Sequence, residues 1–364
     1  MKPNSFWKHV SDQKLGTYIA PVDNKLKNFA ALENALGCSP GVERKMSKLE
    51  GVGLNKYPQN NNEFKKRVAN WLSVDPAMVT LGNGSDELIN LIPQVFIEPG
   101  DKCVVQTPTF FRVIEAINKT KGLVEVVPAK AERNFSLDGA YFSQMERRVK
   151  KCRPGLIWLC SPNNPTGEVI DPKFIDFIAG KTKALVVVDE AYQEIYDPEN
   201  KFSAVRLLGK HNNLLVTKTF SKAFGLAGIR VGLAIGNKKI IEPLEKWRLN
   251  FPISTLSLLA AEAALEDVSF LDRVHKHFMT EREFLFNEMA KIPGLERGGE
   301  SKTNVFILRH VKTRLFDLLL KQGILVANFN AMNGLENQGF CRVTIKTRPE
   351  NEKLLMALRK ISEK

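Results

Sequence analysis

Residues that build metal sites and disulfide frameworks are scarce in this chain of 364 residues. It has five cysteines and five histidines. The cysteines are odd in number and show no C-x-x-C spacing, which argues against a disulfide framework and against a cysteine metal site. His275 and His277 are two positions apart and would face different sides of a helix. The sequence therefore predicts a protein without a metal site.

Long hydrophobic runs are also absent. The apolar run at residues 184–188 is far too short to cross a bilayer. The first residues, MKPNSFWK, lack the apolar core of a signal peptide. We expect a soluble, cytoplasmic protein with no membrane partner.

Hydrophobic residues make up 43% of the chain and charged residues 26%, an ordinary globular composition. The net charge of +13 raises the alternative of a nucleic-acid-binding protein, which a salt-dependent gel shift would reveal. The basic residues are scattered, however, and no stripe alternates them with aromatic residues. We interpret the charge as solvated surface that also attracts anionic ligands, and expect no nucleic-acid partner.

Strand and helix patterns alternate over the first two thirds of the chain. Short apolar runs predict strands at residues 78–81, 102–106, 123–127, 156–160, 184–188 and 214–217. Such runs, separated by helical stretches, predict an α/β fold with a mostly parallel central sheet covered on both faces. Long helical patterns and short strands follow after residue 236. We expect a large domain at residues 45–245 and a smaller α+β domain from residues 1–44 and 246–364.

The segment from Thr219 to Gly232, TFSKAFGLAGIRVG, carries the most specific pattern. Lys222 lies where a buried strand ends, and burial lowers a lysine pKa towards the neutral amine that attacks carbonyls. The hydroxyls of Thr219 and Ser221 and the guanidinium of Arg230 suit a phosphate. Ser-Lys pairs alone occur on many surfaces, but the full spacing predicts a pyridoxal 5'-phosphate (PLP) site with a Schiff base at Lys222.

A glycine-rich turn at residues 82–87, GNGSDE, follows the first predicted strand and precedes a helical pattern. A strand, a turn and a helix N-terminus together present free backbone N–H groups to an anion. The N–H groups of Ser85 and Asp86 are therefore candidates for the PLP phosphate. On this motif alone, an ordinary tight turn is the alternative.

The remaining candidates also follow predicted strands, where ligands gather in such sheets. A buried carboxylate keeps the PLP ring nitrogen protonated, and Asp189 is the candidate. Asn164 and Tyr192 offer donors to the ring's phenolate oxygen. Phe110 provides an aromatic wall for one ring face. Lys222 is the candidate base for the substrate's α-proton, so Lys222, Asp189 and Tyr192 form the predicted catalytic group.

Over nearly its whole length the chain resembles the class I/II aminotransferases of the aspartate-aminotransferase fold, PLP fold type I. Within that fold it most resembles the histidinol-phosphate aminotransferases. The shared motifs are TYIAP with Tyr18, Glu33-Asn34, Tyr57-Pro58, GNGSDE, SPNNPTG, the Lys222 segment and Arg342 in FCRVTI.

The resemblance implies roles for four further residues. Tyr57 would reach across a dimer interface to the PLP phosphate of the neighbouring chain, which makes the expected active unit a homodimer with shared sites. Arg342 would hold an acidic group of the substrate, although the alternative for it is a surface arginine on an edge strand. Tyr18 and Asn34 would lie on the substrate side. The expected substrates are histidinol phosphate or a bulky or aromatic amino acid, and a 2-oxo acid such as 2-oxoglutarate.

Three positions depart from the pattern of that family. Ala327 stands where an arginine is usual, Ala35 replaces a proline, and Lys346 replaces a glycine. The related threonine-phosphate decarboxylases often carry a basic residue at the position of Lys346. A PLP-dependent decarboxylase of a phosphorylated amino acid is therefore the alternative to the aminotransferase.

Overall fold

The computed structural model of the chain describes residues 26–58 and 61–363. Within these ranges the strands are β1 (Lys27–Asn28), β2 (Val79–Asn83), β3 (Lys102–Thr107), β4 (Leu123–Pro128), β5 (Leu156–Cys160), β6 (Leu185–Asp189), β7 (Leu214–Thr219), β8 (Val231–Gly236), β9 (Leu295–Gly298), β10 (Val305–His310), β11 (Ile324–Leu325), β12 (Ala327–Asn328) and β13 (Cys341–Thr344). The helices are α1 (Pro40–Met46), α2 (Asn61–Leu72), α3 (Gly84–Phe96), α4 (Arg112–Lys119), α5 (Gly139–Cys152), α6 (Pro172–Lys181), α7 (Gln193–Tyr196), α8 (Lys238–Trp247), α9 (Thr255–Glu266), α10 (Ser269–Met289), α11 (Leu315–Lys321) and α12 (Arg348–Ser362).

The large sheet has the strand order β2-β8-β7-β6-β5-β3-β4 among the described residues. Strands β3 to β7 run parallel to their neighbours in this group, whereas β8 is antiparallel to both β2 and β7. The prediction of a mostly parallel central sheet is confirmed. Strand β8 was not predicted, because its sequence VGLAIG contains two glycines, which are weak strand formers, and it directly follows the Lys222 loop.

Both faces of this sheet are covered, as continuous apolar strands require. Alternate residues of a strand point to opposite faces. Val105 and Trp158 pack with residues of α3, α4 and α8 in one core. Val104 and Ile157 pack in a second core, which also contains residues of α5 and α6 and continues into the C-terminal part of the chain.

The C-terminal part forms a second, antiparallel sheet with the order β12-β13-β10-β9, accompanied by α10, α11 and α12. The segment before the large domain joins it, since Lys27 of β1 pairs with Ile324 of β11 and Thr344 N–H donates to Phe29 O. The domain boundaries near residues 45 and 245 stay predictions. The same segment ends in helix α1, which is capped by Ser39 and has a proline in its first turn.

The structure also shows the state of the cysteines, the grouping of potential metal ligands and the length of the helices. All five cysteines are free thiols. Across residues 26–58 and 61–363, no group of three potential ligand side chains is placed to hold a metal ion. In the same ranges, every helix is too short or too polar to cross a membrane.

Candidate active site

A cavity of about 270 Å³ opens where the central strands of the large sheet end. Residues that follow β3, β5, β6 and β7 meet the first turn of α3 around it. Ten residues predicted from the sequence line this cavity: Ser85, Asp86, Phe110, Asn164, Asp189, Tyr192, Thr219, Ser221, Lys222 and Arg230. The topology therefore brings together side chains that are widely separated along the chain.

Lys222 lies three residues beyond the end of β7 and borders the cavity. Its Nζ donates a hydrogen bond to the carbonyl oxygen of Leu32 over 3.3 Å, and it lies 5.9 Å from the centroid of the Tyr192 ring. Burial, helped by the positive charges of Arg342 and Arg230, lowers the pKa of Lys222 to about 8. A much larger fraction of this amine is neutral near pH 8 than of an ordinary lysine, so it is suited to attack a carbonyl.

One end of the cavity is built from hydroxyl groups and a guanidinium. Thr219 Oγ1 lies 3.0 Å from Ser221 Oγ, and Arg230 Nη1 donates to Ser221 Oγ over 3.3 Å. Asp86 Oδ2 lies 3.7 Å from Arg230 Nη2, so this residue contributes a carboxylate beside the guanidinium in addition to its predicted N–H group. Hydroxyl and guanidinium donors gathered in this way suit a phosphate group.

The start of α3 closes the same end. The helix begins at Gly84, so the N–H groups of Ser85 and Asp86 belong to a first turn that offers them no intrahelical acceptor. Gly84 has φ +70°, and a Cβ there would lie 2.4 Å from Arg230 Nη2. Only glycine permits this close approach of the helix N-terminus to the guanidinium. The glycine-rich turn thus places free N–H groups beside a guanidinium, an arrangement that suits an anion.

Asp189 is the last residue of β6 and borders the same cavity. It is buried, and its Oδ1 accepts hydrogen bonds from Ala191 N–H and Thr217 Oγ1, each over 3.2 Å. Burial raises the pKa of Asp189 to about 6 despite these two hydrogen bonds, and the charges of Asp86 and Glu190 act in the same direction. A carboxylate in such surroundings is strongly stabilised by a cationic N–H group placed beside it.

Arg342 connects the second sheet to this site. Its Nη1 donates to Asn164 Oδ1 over 3.1 Å, and its Nη2 donates to the carbonyl oxygen of Ala30 over 2.8 Å. Its guanidinium carbon lies 5.1 Å from the centroid of the Phe329 ring. Arg342 is 1% exposed and lies on β13, which is flanked by β12 and β10. The alternative interpretation, a surface arginine on an edge strand, is therefore wrong.

Besides Arg342, two described residues of the predicted site, Tyr57 and Asn34, are not among those that line the cavity. Tyr57 is 74% exposed and stacks on Phe251 with ring centroids 4.7 Å apart, next to a different pocket. Asn34 donates from Nδ2 to Ala223 O over 2.8 Å, so it holds the loop next to Lys222. Tyr18 lies outside the described residues.

Four residues that line the cavity were not predicted from the sequence. The cavity wall includes Leu32, Cys160, Ala191 and Ala227. Cys160 and Ala191 adjoin predicted motifs, so their positions next to Ser161 and between Asp189 and Tyr192 could have revealed them. Leu32 gave no signal, since it is one apolar residue in a segment without a helix or strand pattern.

Comparison with known proteins identifies the family of this site. The family model for aminotransferase class I and II matches residues 25–361. The chain belongs to this family.

Relatives and solved structures agree with this membership. A histidinol-phosphate aminotransferase of Thermoanaerobacter pseudethanolicus is 37% identical over 85% of each chain. A crystal structure of histidinol-phosphate aminotransferase from Clostridium acetobutylicum matches with a TM-score of 0.84 at 24% identity, over 93% of this chain and 99% of that one. The enzyme of that name from Sinorhizobium meliloti, solved with PLP, matches with a TM-score of 0.83 at 22% identity, over 97% of both chains. These solved structures share the fold type I architecture with this aminotransferase.

The cavity of this aminotransferase fits PLP, the cofactor on which the family depends. Its lining combines a lysine amine of lowered pKa, an anion-binding end and a buried carboxylate. These groups correspond to the aldehyde, the phosphate and the ring nitrogen of PLP. Phe110 adds an aromatic ring to the same wall. The chain is a PLP-dependent aminotransferase.

Proposed function

We propose that this aminotransferase takes histidinol phosphate as its amino donor and a 2-oxo acid, such as 2-oxoglutarate, as its acceptor. The observation that carries the proposal is the buried guanidinium of Arg342, which reaches Asn164 of the cavity wall over 3.1 Å. A guanidinium held there binds an acidic group of either substrate. Relatives that carry the name histidinol-phosphate aminotransferase support the choice of donor.

The cofactor-binding roles are proposed from the geometry of the cavity. Thr219, Ser221 and Arg230 bind the PLP phosphate, together with the N–H groups of Ser85 and Asp86 at the start of α3.

The roles at the ring complete the binding site. Asp189 holds a proton on the ring nitrogen, and Phe110 covers one face of the ring. Asn164 and Tyr192 donate hydrogen bonds to the ring oxygen.

Lys222 moves the proton in the reaction. PLP, when bound, supplies the electron sink that makes the donor's Cα–H bond acidic. In this proposal, Lys222 Nζ takes that proton from Cα of the amino donor. In the second half of the reaction it delivers a proton to Cα of the 2-oxo acid, which becomes the new amino acid. Its pKa of about 8 suits both directions near neutral pH, because the amine is then a usable base and its conjugate a usable acid.

Ala327 affects how the phosphate of the donor is recognised. It is buried and faces Arg342 across the β12–β13 pair. A methyl group there leaves the acidic group of the substrate with one fewer cation than an arginine at this position would provide. An aromatic amino acid, whose carboxylate needs only Arg342, is therefore the second candidate donor.

A decarboxylase of a phosphorylated amino acid is less well supported. Lys346, which raised this alternative, is buried just beyond β13, and its backbone groups bond to Asn351. The names of the relatives favour transamination instead. Threonine phosphate is nevertheless a necessary substrate in the experimental test.

We also propose that the enzyme is a homodimer. An apolar patch on the surface contains Leu54, Tyr57, Trp247, Leu249 and Phe251, each of them 49–79% exposed. The Tyr57–Phe251 stack joins its two segments. Exposed apolar surface of this kind is typical of a protein interface, and a second copy of the chain is the occupant that also brings Tyr57 to a cofactor. The cytoplasmic location and the lack of nucleic-acid and membrane partners stay predictions.

A single-turnover screen tests the proposed reaction. The PLP form of the enzyme is mixed separately with histidinol phosphate, aromatic amino acids, glutamate and threonine phosphate, and conversion to pyridoxamine phosphate is followed by absorbance. We expect the fastest conversion with histidinol phosphate. Faster conversion with aromatic donors would reject that substrate. Release of carbon dioxide from threonine phosphate without pyridoxamine phosphate would reject transamination in favour of the decarboxylase.

A further inference from the structure

A buried group of charges lies next in sequence to the cofactor residues. This charge cluster consists of Glu190, Glu194 and Lys218, which are only 1–2% exposed. Glu190 directly follows Asp189, and Lys218 directly precedes Thr219. None of the three lines the cavity that contains Lys222. The roles proposed above leave the cluster without a function.

Lys218 is the centre of the cluster. Its Nζ lies 2.8 Å from Glu190 Oε2, 2.7 Å from Glu194 Oε1 and 2.8 Å from Asn200 Oδ1. Each of the three ammonium protons therefore has an acceptor. Burial lowers the pKa of Lys218, but the two carboxylates outweigh it and raise the pKa overall. Lys218 is therefore charged at neutral pH.

Glu190 ties the cluster to the loop beyond α7. Besides Lys218, it accepts hydrogen bonds from Ser203 Oγ and from the N–H group of Ala204, each over 2.6 Å. Both of its oxygens are thereby engaged by donors on separate segments. Such a carboxylate has little freedom to move.

The register of β6 and β7 sets the direction of each side chain. Asp189 pairs with Thr217, and Glu190 N–H donates to Thr217 O over 2.8 Å. Thr217 Oγ1 meets Asp189 on the cavity face of the sheet. Because side chains alternate along a strand, Glu190 and Lys218 lie on the opposite face, one position further along. The ion pair thus joins the two strands where their cofactor residues emerge.

Stability alone is a weak reason for such a cluster. Moving charged groups out of water costs several kcal/mol for each ion, and well-packed apolar residues often serve a fold as well or better. Burial raises the pKa of Glu194, with the nearby charge of Glu190 acting in the same direction, although Lys218 opposes both. The cluster is thus a costly arrangement placed directly behind the cofactor site.

We propose that Lys218 is a positioning residue for PLP. Through Glu190 and Glu194 it fixes the segment that carries Asp189 and Tyr192 relative to the end of β7, which carries Thr219. The ring-nitrogen partner and the phosphate site are then held at a constant separation. This proposal rests on the cofactor roles given above for those three residues.

The test uses the full chain and two readouts besides activity. Lys218→Met removes the ammonium, Lys218→Arg keeps a cation, and Glu190→Gln keeps shape while it removes one carboxylate. For each variant we would measure the Kd of PLP for the apoenzyme and the pH midpoint of the absorbance change of bound PLP. Glu281→Gln is the matched control, since Glu281 is also buried and bonded to Arg348 and Asn351, but away from the cavity.

Positioning predicts changes that a merely structural role does not. We expect Lys218→Met and Glu190→Gln to weaken PLP binding by about tenfold or more, the effect of losing one well-placed charged contact. We also expect both to move the optical midpoint, and Lys218→Arg to restore part of each property. Glu281→Gln should lower thermal stability while it leaves both readouts unchanged.

A change in stability alone would reject the proposal. If Lys218→Met and Glu190→Gln lower only thermal stability, with the Kd and midpoint of the wild type, the proposal is wrong. If Lys218→Met does not fold, Glu190→Gln decides by the same two readouts. Trapping of PLP on Lys222 in the wild-type protein, done first, tests the proposed site separately, so the two failures are distinguishable.

Discussion

Arg342 donates a hydrogen bond to Asn164 over 3.1 Å, although the two residues are 178 positions apart in the chain. Asn164 belongs to the loop after β5 of the large sheet, and Arg342 lies on β13 of the second sheet. The contact therefore links the proposed substrate-binding guanidinium to a proposed cofactor-binding side chain. Binding of substrate to Arg342 would therefore act directly on its hydrogen bond to Asn164.

Ala327→Arg tests phosphate recognition next to Arg342. Ala327 faces Arg342 across β12 and β13, so a second guanidinium would lie beside the first. We expect donors with a phosphate to bind about 10–150-fold more tightly, since one charge-assisted contact contributes about 1.5–3 kcal/mol. The measurement is KM for histidinol phosphate against KM for an aromatic amino acid. Asn328→Arg is the control, because the adjacent residue of β12 faces the other way. An equal change in KM for all donors would show that position 327 does not recognise the phosphate group.

Lys222 should react with PLP in a pH-dependent way. Its neutral amine is the reactive form, and burial lowers its pKa from the usual 10.5 to about 8. The rate at which apoenzyme bonds to PLP should therefore rise with pH and reach half its maximum near pH 8. Absorbance gives the rate, and borohydride reduction followed by peptide mapping gives the site. A midpoint near 10.5, or a label on another lysine, would contradict the assignment, and Lys222→Arg should show no label.

Asp189→Asn should bind PLP but lose most of its turnover. A neutral amide holds a proton on the ring nitrogen poorly, and the loss of one charge-assisted partner of about 3–4 kcal/mol corresponds to a rate fall of about 10²–10³. The variant should also change the stability of the apoenzyme with pH. Because folding raises the pKa of Asp189 from 3.8 to about 6, the wild type loses stability as pH rises through that interval.

The size and sign of that change can be measured by denaturant unfolding. Relative to Asp189→Asn, the apo wild type should lose about 3 kcal/mol of unfolding free energy between pH 3.8 and pH 6, from 1.36 kcal/mol for each pKa unit. Above pH 6 the difference should stay constant. Parallel pH profiles of the two proteins, or near-normal turnover of the variant, would refute the role of Asp189.

Tyr57 is expected to act on the neighbouring chain. Lys222→Ala subunits are mixed with Tyr57→Phe subunits, a test that requires both parent variants to be strongly impaired. In the mixed dimer one site would contain an intact Lys222 and an intact Tyr57, so activity should reappear. The readout is transamination after subunit exchange, which native mass measurements can verify. Exchange without recovery of activity would exclude a contribution of Tyr57 across the interface.

Much of the sheet and of the cofactor site could be predicted from local patterns. The runs at β5 and β6 are apolar as far as Asp189, the last residue of β6, because both faces of these strands are buried. Polar residues that interrupt such runs at the strand ends stand out, which is why Asp189 and Lys222 were found. Strand β8 escaped notice, since its glycines and its antiparallel direction carry no comparable signal.

The sequence by itself determined which chemical groups line the cavity, because the spacing from Thr219 to Arg230 and the strand-end positions are local properties of the chain. Only the tertiary structure decided which residues Arg342, Leu32 and the charge cluster contact. Arg342 is buried against Asn164 by the packing of one sheet on another, and Lys218 is compensated by Glu190 and Glu194 through the register of two strands. Contacts between distant segments depend on how whole layers pack, and no local pattern in the sequence reports that.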